Sequence, residues 1–452
     1  MKGLIIAAGE GSRLSNRGDS KPLVPLLELP LIERVILNAK GAGITDFYIV
    51  TGYNGEKLRN HLDQFAHNRD LKITHLINNQ WEKENGLSVL KAKGEIDENF
   101  ILLMSDHIFD KSILEDLMQE KVVDGEIILA VDYNLENKIV DIDDVTKVLV
   151  DGKNRIVNIG KNIKEYNAYD TGIFLCSPAI FEALEESLDN GDTSLSVGIK
   201  VLAKQEKARV FGIRGRYWID VDDENAFKKA ENILLADLKK VSDGPVSRYL
   251  NRPISIRISK YLLKTNITPN QISLFSFIFS IVGALFFFFG GYTNLLIGGM
   301  LAQISSIIDG CDGEIARLKF QTSEFGGWYD AVLDRYADAF LLFGLTYYAY
   351  FLGENLLYLF IGFLAIIGSF VNSYTADKYD GLMKKNLTRG KHYFRIGRDV
   401  RIGIIFIGTL INQPSLILFI IAFLMNTENI RRILIFYKKS KIFYCSICIK
   451  LI

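Results

Sequence analysis

The stretch Asp309-Gly-Cys-Asp312-Gly313-Glu-Ile-Ala-Arg317, continued by Gly326, Asp330 and Asp334, decides how this chain is read. Its upstream flank is apolar (Leu295, Leu296, Ile297, Met300, Leu301, Ile304, Ile307, Ile308), and so is its downstream flank, 339–352. Four carboxylates thus fall at or near the ends of two membrane-length helices. A charge at the centre of a bilayer helix costs about 2.5–3.5 kcal/mol on insertion scales, so such residues are generally paired and functional. Asp309 and Asp312 are spaced i,i+3, and Asp330 and Asp334 i,i+4. On helices each pair shares a face. Two such faces meeting make an all-oxygen cage, which suits a hard divalent cation such as Mg²⁺ or Mn²⁺. The plainer alternative, helix-end carboxylates solvated by headgroups and water, sits poorly with that cost.

The spacing D-x2-D-G-x2-A-R-x8-G-x3-D-x3-D is similar, without departure, to the signature of the CDP-alcohol phosphatidyltransferase family. The resemblance implies that Asp309, Asp312 and Asp330 hold a metal pair. It implies that Asp334 completes a coordination shell or deprotonates the acceptor hydroxyl. Gly313 then admits the nucleotide and Arg317 steadies the motif. Thr268-Pro269-Asn270 resembles a nucleotide-contacting segment of that family, although a Pro after a capping Thr is also what any helix start shows. Arg398 and Arg401, three apart, follow Arg389, Lys391 and Arg395. Flanking of a span toward headgroups is one reading. The guanidinium fork also matches phosphate, and the family places a basic pocket there for a phosphorylated acceptor. The resemblance further implies a homodimer formed through the membrane domain.

Apolar runs at 272–289, 295–308, 328–352, 356–374, 402–411 and 416–435 predict six spans, each near the ~20 residues that cross hydrocarbon. Lys and Arg gather after the second, fourth and sixth runs (Arg317, Lys319; 378–395; Arg431, Arg432, Lys438) and are missing from the other connections. By the positive-inside rule both termini, the first half and the aspartate motif face the cytoplasm of a cell membrane.

The 452 residues carry zero net charge and divide unevenly, a charged, mixed first half preceding the apolar second half. No secretory signal is expected, because Met1-Lys2 runs directly into the strand-like 3–8. Cys176, Cys311, Cys445 and Cys448 form no disulfide framework, and Cys445-x2-Cys448 lacks two further metal ligands. A reducing setting follows for the first half. No nucleic-acid partner is expected.

In that half, strand-like 2–8, 47–51, 73–77 and 101–104 alternate with helical 31–42 and 57–65, predicting an α/β doubly wound, Rossmann-like sheet. Its ligand belongs at the carboxyl ends of the strands. There lies Ala8-Gly9-Glu-Gly11-Ser-Arg13, followed by Lys21-Pro22 and a strand-like 23–27. Glycines let backbone N–H groups approach phosphate, and Arg13 and Lys21 offset its charge. The third glycine of a dinucleotide fingerprint is missing. The run resembles the sugar-phosphate nucleotidyltransferase family over residues 1 to about 235. The resemblance implies that Asp106 binds the catalytic Mg²⁺ with Asp220 or Asp222, Asp220 being favoured. It implies that Asn85 and Ser88, with the backbone of Ala8, Gly9 and Gly11, contact the nucleotide. Lys161 and Asp170-Thr171-Gly172, with Lys147 as a weaker candidate, would hold the acceptor phosphate.

The chain is expected to divide into a nucleotidyltransferase domain (1–237), a linker with a juxtamembrane amphipathic helix (238–267) and an all-α six-helix transmembrane domain (268–452). Segment 246–264 mixes Tyr249, Ile254 and Tyr261 with Arg248, Arg252, Arg257 and Lys260, fitting either an anionic membrane surface or packing between domains. The pairing of the two halves resembles the bifunctional inositol-phosphate cytidylyltransferases fused to a CDP-alcohol phosphotransferase. That resemblance implies CTP, inositol 1-phosphate and CDP-inositol as substrates, with Mg²⁺ or Mn²⁺ at both sites; no residue by itself reveals inositol. Two other readings stay open: a phospholipid synthase with a domain forming CDP-choline or CDP-ethanolamine, and a membrane phosphotransferase with a non-catalytic nucleotide sensor.

Overall fold

The structure, a computed structural model, describes residues 1–123, 125–240, 243–384 and 397–450; along 377–384 and 438–450 it describes the helix but not the side chains. Residues 385–395 of the basic connection, with Arg389, Lys391 and Arg395, and the Cys445 and Cys448 side chains therefore lie outside the described residues. The chain forms two compact units, Met1–Leu234 and Leu235–Ile452.

The first unit is built on a nine-stranded mixed sheet. Lys2–Ala7 runs at its centre, parallel to Asp46–Thr51 on one side and Phe100–Met104 on the other, and Lys72–Ile77 extends it. This is the doubly wound part that alternating strands and helices predict. Past it the sheet turns antiparallel. Ala168–Cys176 pairs with Phe100–Met104, with Ile127–Asp132 and with Lys147–Val150, and shifts register between Asp170 and Phe174. Continuous apolar strands such as Ile127–Asp132 are buried along their whole length, as strands covered on both faces must be. Leu4, Phe100, Leu129 and Phe174 sit in that core; each fully buried side chain of this kind contributes about 1.5–3 kcal/mol.

Residues 23–27 depart from the expected strand. Lys21–Leu23 is a 3-10 turn, and Pro25–Leu26 pairs with Leu29–Pro30 across a tight hairpin in which Leu27 and Glu28 take positive φ. Buried Arg34 donates to the Leu26 carbonyl at 2.7 and 2.9 Å and ties the hairpin down. A proline cannot join a central ladder, so the apolar run closes over the core instead of adding to the sheet.

The second unit is helical: a short π-turn, Ser247–Asn251, leads into Arg252–Leu262, then Pro269–Phe288, Tyr292–Leu318, Glu324–Gly353, Leu356–Lys384, Arg398–Leu410 and Pro414–Lys450. Among the described residues, Pro269–Phe288, Tyr292–Leu318 and Leu356–Ala376 are long and apolar enough to cross a membrane. Pro269–Phe288 starts on a reciprocal capping box between Thr268 and Gln271. Helices approach closely over small residues: a Cβ on Gly283 would stand 3.0 Å from the Gly298 carbonyl oxygen, the kind of backbone contact that joins membrane helices. The aspartates lie inside their helices and not at the ends, because Tyr292–Leu318 runs nearly three turns beyond its apolar stretch.

Candidate active sites

In the first unit the glycine turn, the 3-10 turn and a two-stranded ladder meet around a cleft of about 790 Å³. Gly11 takes a left-handed φ of 64°, and its α-carbon lies against the Lys21 stem, so any side chain there would push Lys21 out. Among the described residues, no atom beyond its chain neighbours stands within 4 Å of a Cβ built on Gly9, which leaves the turn open to a ligand. His107–Phe109 pairs antiparallel with Trp218–Asp220, setting His107 opposite Asp220. Val221 N–H donates to the Asp106 carbonyl at 3.1 Å. Strand pairing thus draws together carboxylates more than a hundred positions apart.

Lys21 is buried and donates to Asp106 Oδ2 at 2.5 Å and to Asp222 Oδ1, with Asp220 Oδ1 at 3.9 Å. Burial works against its ammonium charge, yet Asp106, Asp220 and Asp222 raise it above the ordinary lysine range. Burial likewise opposes the Asp106 charge, but Lys21 and His107 hold that carboxyl well below the usual range. Burial pushes Asp220 up to about 7 despite nearby His107. His107, its ring 3.0 Å from Asp106, is raised to about 9 because Asp220 and Asp106 outweigh its desolvation. Arg13 bridges Asp144 (2.6 Å) and Asp222 (2.9 Å), and Lys161 donates to the other Asp144 oxygen at 2.5 Å. These two cations hold Asp144 down at about 2. Burial raises Asp170 to about 6, and its side chain accepts from Gly172 N–H at 2.8 Å.

Ala8, Gly9, Gly11, Arg13, Lys21, Asn85, Asp106, Lys161, Asp220 and Asp222 all line the cleft. Ser88 is buried and accepts from Asn78 at 3.0 Å, while Asn85 accepts from Leu195 N–H. Lys147 donates to the Lys161 carbonyl at 3.2 Å. Neither Ser88 nor Lys147 is among the lining residues. His107 and Asp144 are cleft residues that the sequence reading passed over. A divalent cation fits here on two observations. Asp106, His107 and Asp220 can each present a ligand atom within 4.8 Å of the others. Asp220 Oδ1 is buried with no hydrogen-bond partner.

In the helical unit, Asp309, Asp330 and Asp334 bring carboxylate oxygens within 4.8 Å of one another, a donor set that fits a hard divalent cation. Asp312 accepts from Ser273 Oγ at 2.5 Å and from Gly313 N–H, and Asp309 accepts from Ser276 Oγ at 3.2 Å. Ser273, Ser276 and Ser280 form one face of Pro269–Phe288, a polar stripe in an apolar helix that was legible in the sequence. The Arg317 guanidinium lies 3.4 Å from a Cβ on Gly313. Asn270 Oδ1 would sit 3.3 Å from a Cβ on Gly326. Arg398 reaches Asp334 (2.6 Å), Asp309 (3.1 Å) and Asp338 (3.3 Å); Arg401, 2 % exposed, donates to Asp338 at 2.5 Å and faces Met425 Sδ. Asp338 continues the i,i+4 series of Asp330 and Asp334, and nothing in the sequence reading singled it out.

Glu314, inside the motif, is fully buried and accepts from Arg252 (2.7 Å), Ser255 (2.6 Å) and Ser259 (2.7 Å). Arg252 also binds Asp243 at 2.9 and 3.1 Å. This network fastens Arg252–Leu262 to the helix that carries Asp309 and Asp312. Glu314→Ala strands Arg252 beside one remaining carboxylate. Breaking a buried pair costs about 3–5 kcal/mol, so the variant is expected to unfold at markedly lower temperature in detergent, as read by thermal unfolding of the purified protein.

Residues 3–196 match the MobA-like NTP transferase domain, and residues 266–436 match CDP-alcohol phosphatidyltransferase. Over 97 % of this chain and 98 % of the relative, the sequence is 33 % identical to a bifunctional IPC transferase and DIPP synthase from Aquifex aeolicus. The chain belongs to the bifunctional IPC transferase and DIPP synthase family. A member from Rubrobacter xylanophilus is 34 % identical over 95 % of both chains. The solved inositol-1-phosphate CTP transferase from T. maritima aligns at 23 % identity with a TM-score of 0.46, covering 51 % of this chain and 95 % of that one. As in the family, a nucleotidyltransferase and a CDP-alcohol phosphotransferase share one chain, which is a bifunctional transferase.

Proposed function

We propose that the first unit joins CTP and inositol 1-phosphate into CDP-inositol with release of pyrophosphate. The second unit transfers the inositol phosphate of CDP-inositol onto a second inositol phosphate and releases CMP. The observation that carries this reading is similarity along nearly the whole chain to relatives named for both activities.

In the cleft, Arg13 and Lys21 leave their aspartates to neutralise the triphosphate, while Lys161, assisted by Lys147, orients the acceptor phosphate toward the α-phosphorus. The turn Ala8–Gly11 offers backbone N–H groups to phosphate oxygens, and Asn85 and Ser88 shape the base and ribose end. Asp106 and Asp220 hold Mg²⁺ or Mn²⁺, with Asp222 as the counter-charge to Lys21 and Arg13. In the helical unit Asp309, Asp312 and Asp330 hold metal, and Asp334 takes the proton from the attacking hydroxyl. Gly313 and Asn270 border the nucleotide. Arg398 receives the acceptor phosphate, and Arg401 steadies Asp338 beside it. At both sites a bound divalent cation supplies charge stabilisation of phosphate oxygens as the leaving group departs.

The helical unit is read as six spans in a cell membrane, with both termini and the first unit cytoplasmic, and as a homodimer joined through these helices. Product partition separates this reading from a lipid synthase. With CDP-inositol and inositol 1-phosphate supplied, the expected product stays in water. A product extracted into organic solvent from added lipid acceptor would assign the second site to phospholipid synthesis.

A further inference from the structure

Arg398 occupies the place of a cation. Its Nη1 lies 2.6 Å from Asp334 Oδ1 and 3.1 Å from Asp309 Oδ1, two of the three aspartates whose oxygens crowd together. That nitrogen is buried and makes no well-directed hydrogen bond to either oxygen, so charge holds it there. Arg401 contrasts with it, donating directly to Asp338 Oδ2 at 2.5 Å. Arg398 is the first residue of its helix, Arg398–Leu410. Its neighbourhood holds Asp309, Asp312, Asp330, Asp334 and Asp338 against Arg335, Arg398 and Arg401. A divalent cation held through Asp309 would put a like charge next to the Arg398 guanidinium, 3.1 Å from that carboxylate, and like charges that close disfavour each other.

We propose that Arg398 is an exchangeable counter-ion: it neutralises Asp309 and Asp334 in the metal-free site, and divalent-cation binding frees its guanidinium to take the acceptor's phosphate. The acceptor's phosphate then binds more tightly to metal-loaded than to metal-free protein. This rests on the reading of Arg398 as the acceptor-phosphate residue. Linkage makes the effect reciprocal, acceptor tightening metal by the factor that metal tightens acceptor.

The test uses full-length protein in detergent carrying Asp106→Asn, Asp220→Asn and Lys161→Ala, so that the cleft of the first unit is silent. Mn²⁺ binding is followed by electron paramagnetic resonance, and inositol 1-phosphate binding by calorimetry with and without saturating Mn²⁺. A charged hydrogen bond gained or lost changes affinity about tenfold or more. Arg398→Gln is expected to bind Mn²⁺ about tenfold tighter, and Arg398→Lys to stay near the parent. In the parent, saturating Mn²⁺ should tighten inositol 1-phosphate about tenfold, and Arg398→Gln should lose that gain. Equal or weaker Mn²⁺ binding by Arg398→Gln overturns the counter-ion role. Should that variant not fold, the parent decides: acceptor binding independent of Mn²⁺ overturns the proposal. Tighter Mn²⁺ binding, with acceptor affinity in the presence of Mn²⁺ unchanged by Arg398→Gln, upholds the counter-ion and refutes the acceptor-phosphate reading of Arg398.

Discussion

Asp106→Asn is expected to stop pyrophosphate release from CTP while transfer from supplied CDP-inositol continues at the parent rate. Asp106 does two things in the cleft. It presents an oxygen to the cluster with His107 and Asp220, and it accepts from Lys21 at 2.5 Å. Asparagine keeps the shape but loses the charge that holds both a divalent cation and the buried Lys21 ammonium. Removing one preorganised electrostatic contact costs about 10²–10³ in turnover; here cation and lysine are disturbed together, so the loss should meet or exceed that range. Lys21→Ala should act the same way. Assays of pyrophosphate and CMP on one preparation check both halves. Loss of CMP release from supplied CDP-inositol in Asp106→Asn would refute the division of labour between the two units.

Asp334→Asn is the corresponding substitution in the helical unit, and turnover of CDP-inositol is expected to fall ~10²–10⁴-fold, the usual contribution of a general base. Asparagine still offers an oxygen to a metal, so CDP-inositol should bind nearly as before. If Asp334 serves chiefly as a ligand, nucleotide affinity falls with turnover and extra Mn²⁺ restores part of both. The substitution also removes a partner 2.6 Å from Arg398. Single-turnover rates and nucleotide affinity across a Mn²⁺ titration separate these outcomes. Unchanged turnover would leave Asp334 a helix carboxylate with no part in the chemistry.

What could be read from the sequence was what local spacing encodes. The aspartates at i,i+3 and i,i+4, the glycine turn and the alternating strands of the first hundred residues are short-range patterns, and each found its counterpart. Asp338 escaped although its i,i+4 spacing continues that of Asp330 and Asp334, because it lies past the aspartate signature and its partners Arg398 and Arg401 come from a distant helix. Asp144 escaped for the same reason in the other unit: its partners Arg13 and Lys161 come from distant segments. His107 acquires meaning only through its ladder with Asp220. The antiparallel half of the sheet was invisible because Ala168–Cys176 serves three neighbours, which no single-strand pattern encodes. Arg401 reads with Arg398 as a binder of the acceptor phosphate, yet packing and Asp338 keep it buried and engaged. Residue 23–27 hydrophobicity suggested a strand, while Pro25 and the hairpin at Leu27 and Glu28 gave a cap on the core.

The claim that ties these sites together is that one chain makes a CDP-alcohol and then consumes it. Full-length protein given CTP, Mg²⁺ and inositol 1-phosphate alone, with products followed by mass and by phosphorus, tests it most directly. Pyrophosphate and CMP should be released in equal amounts, with transient CDP-inositol and a water-soluble product containing two inositols and two phosphates. Pyrophosphate without CMP, or CDP-inositol accumulating as the end product, would contradict it.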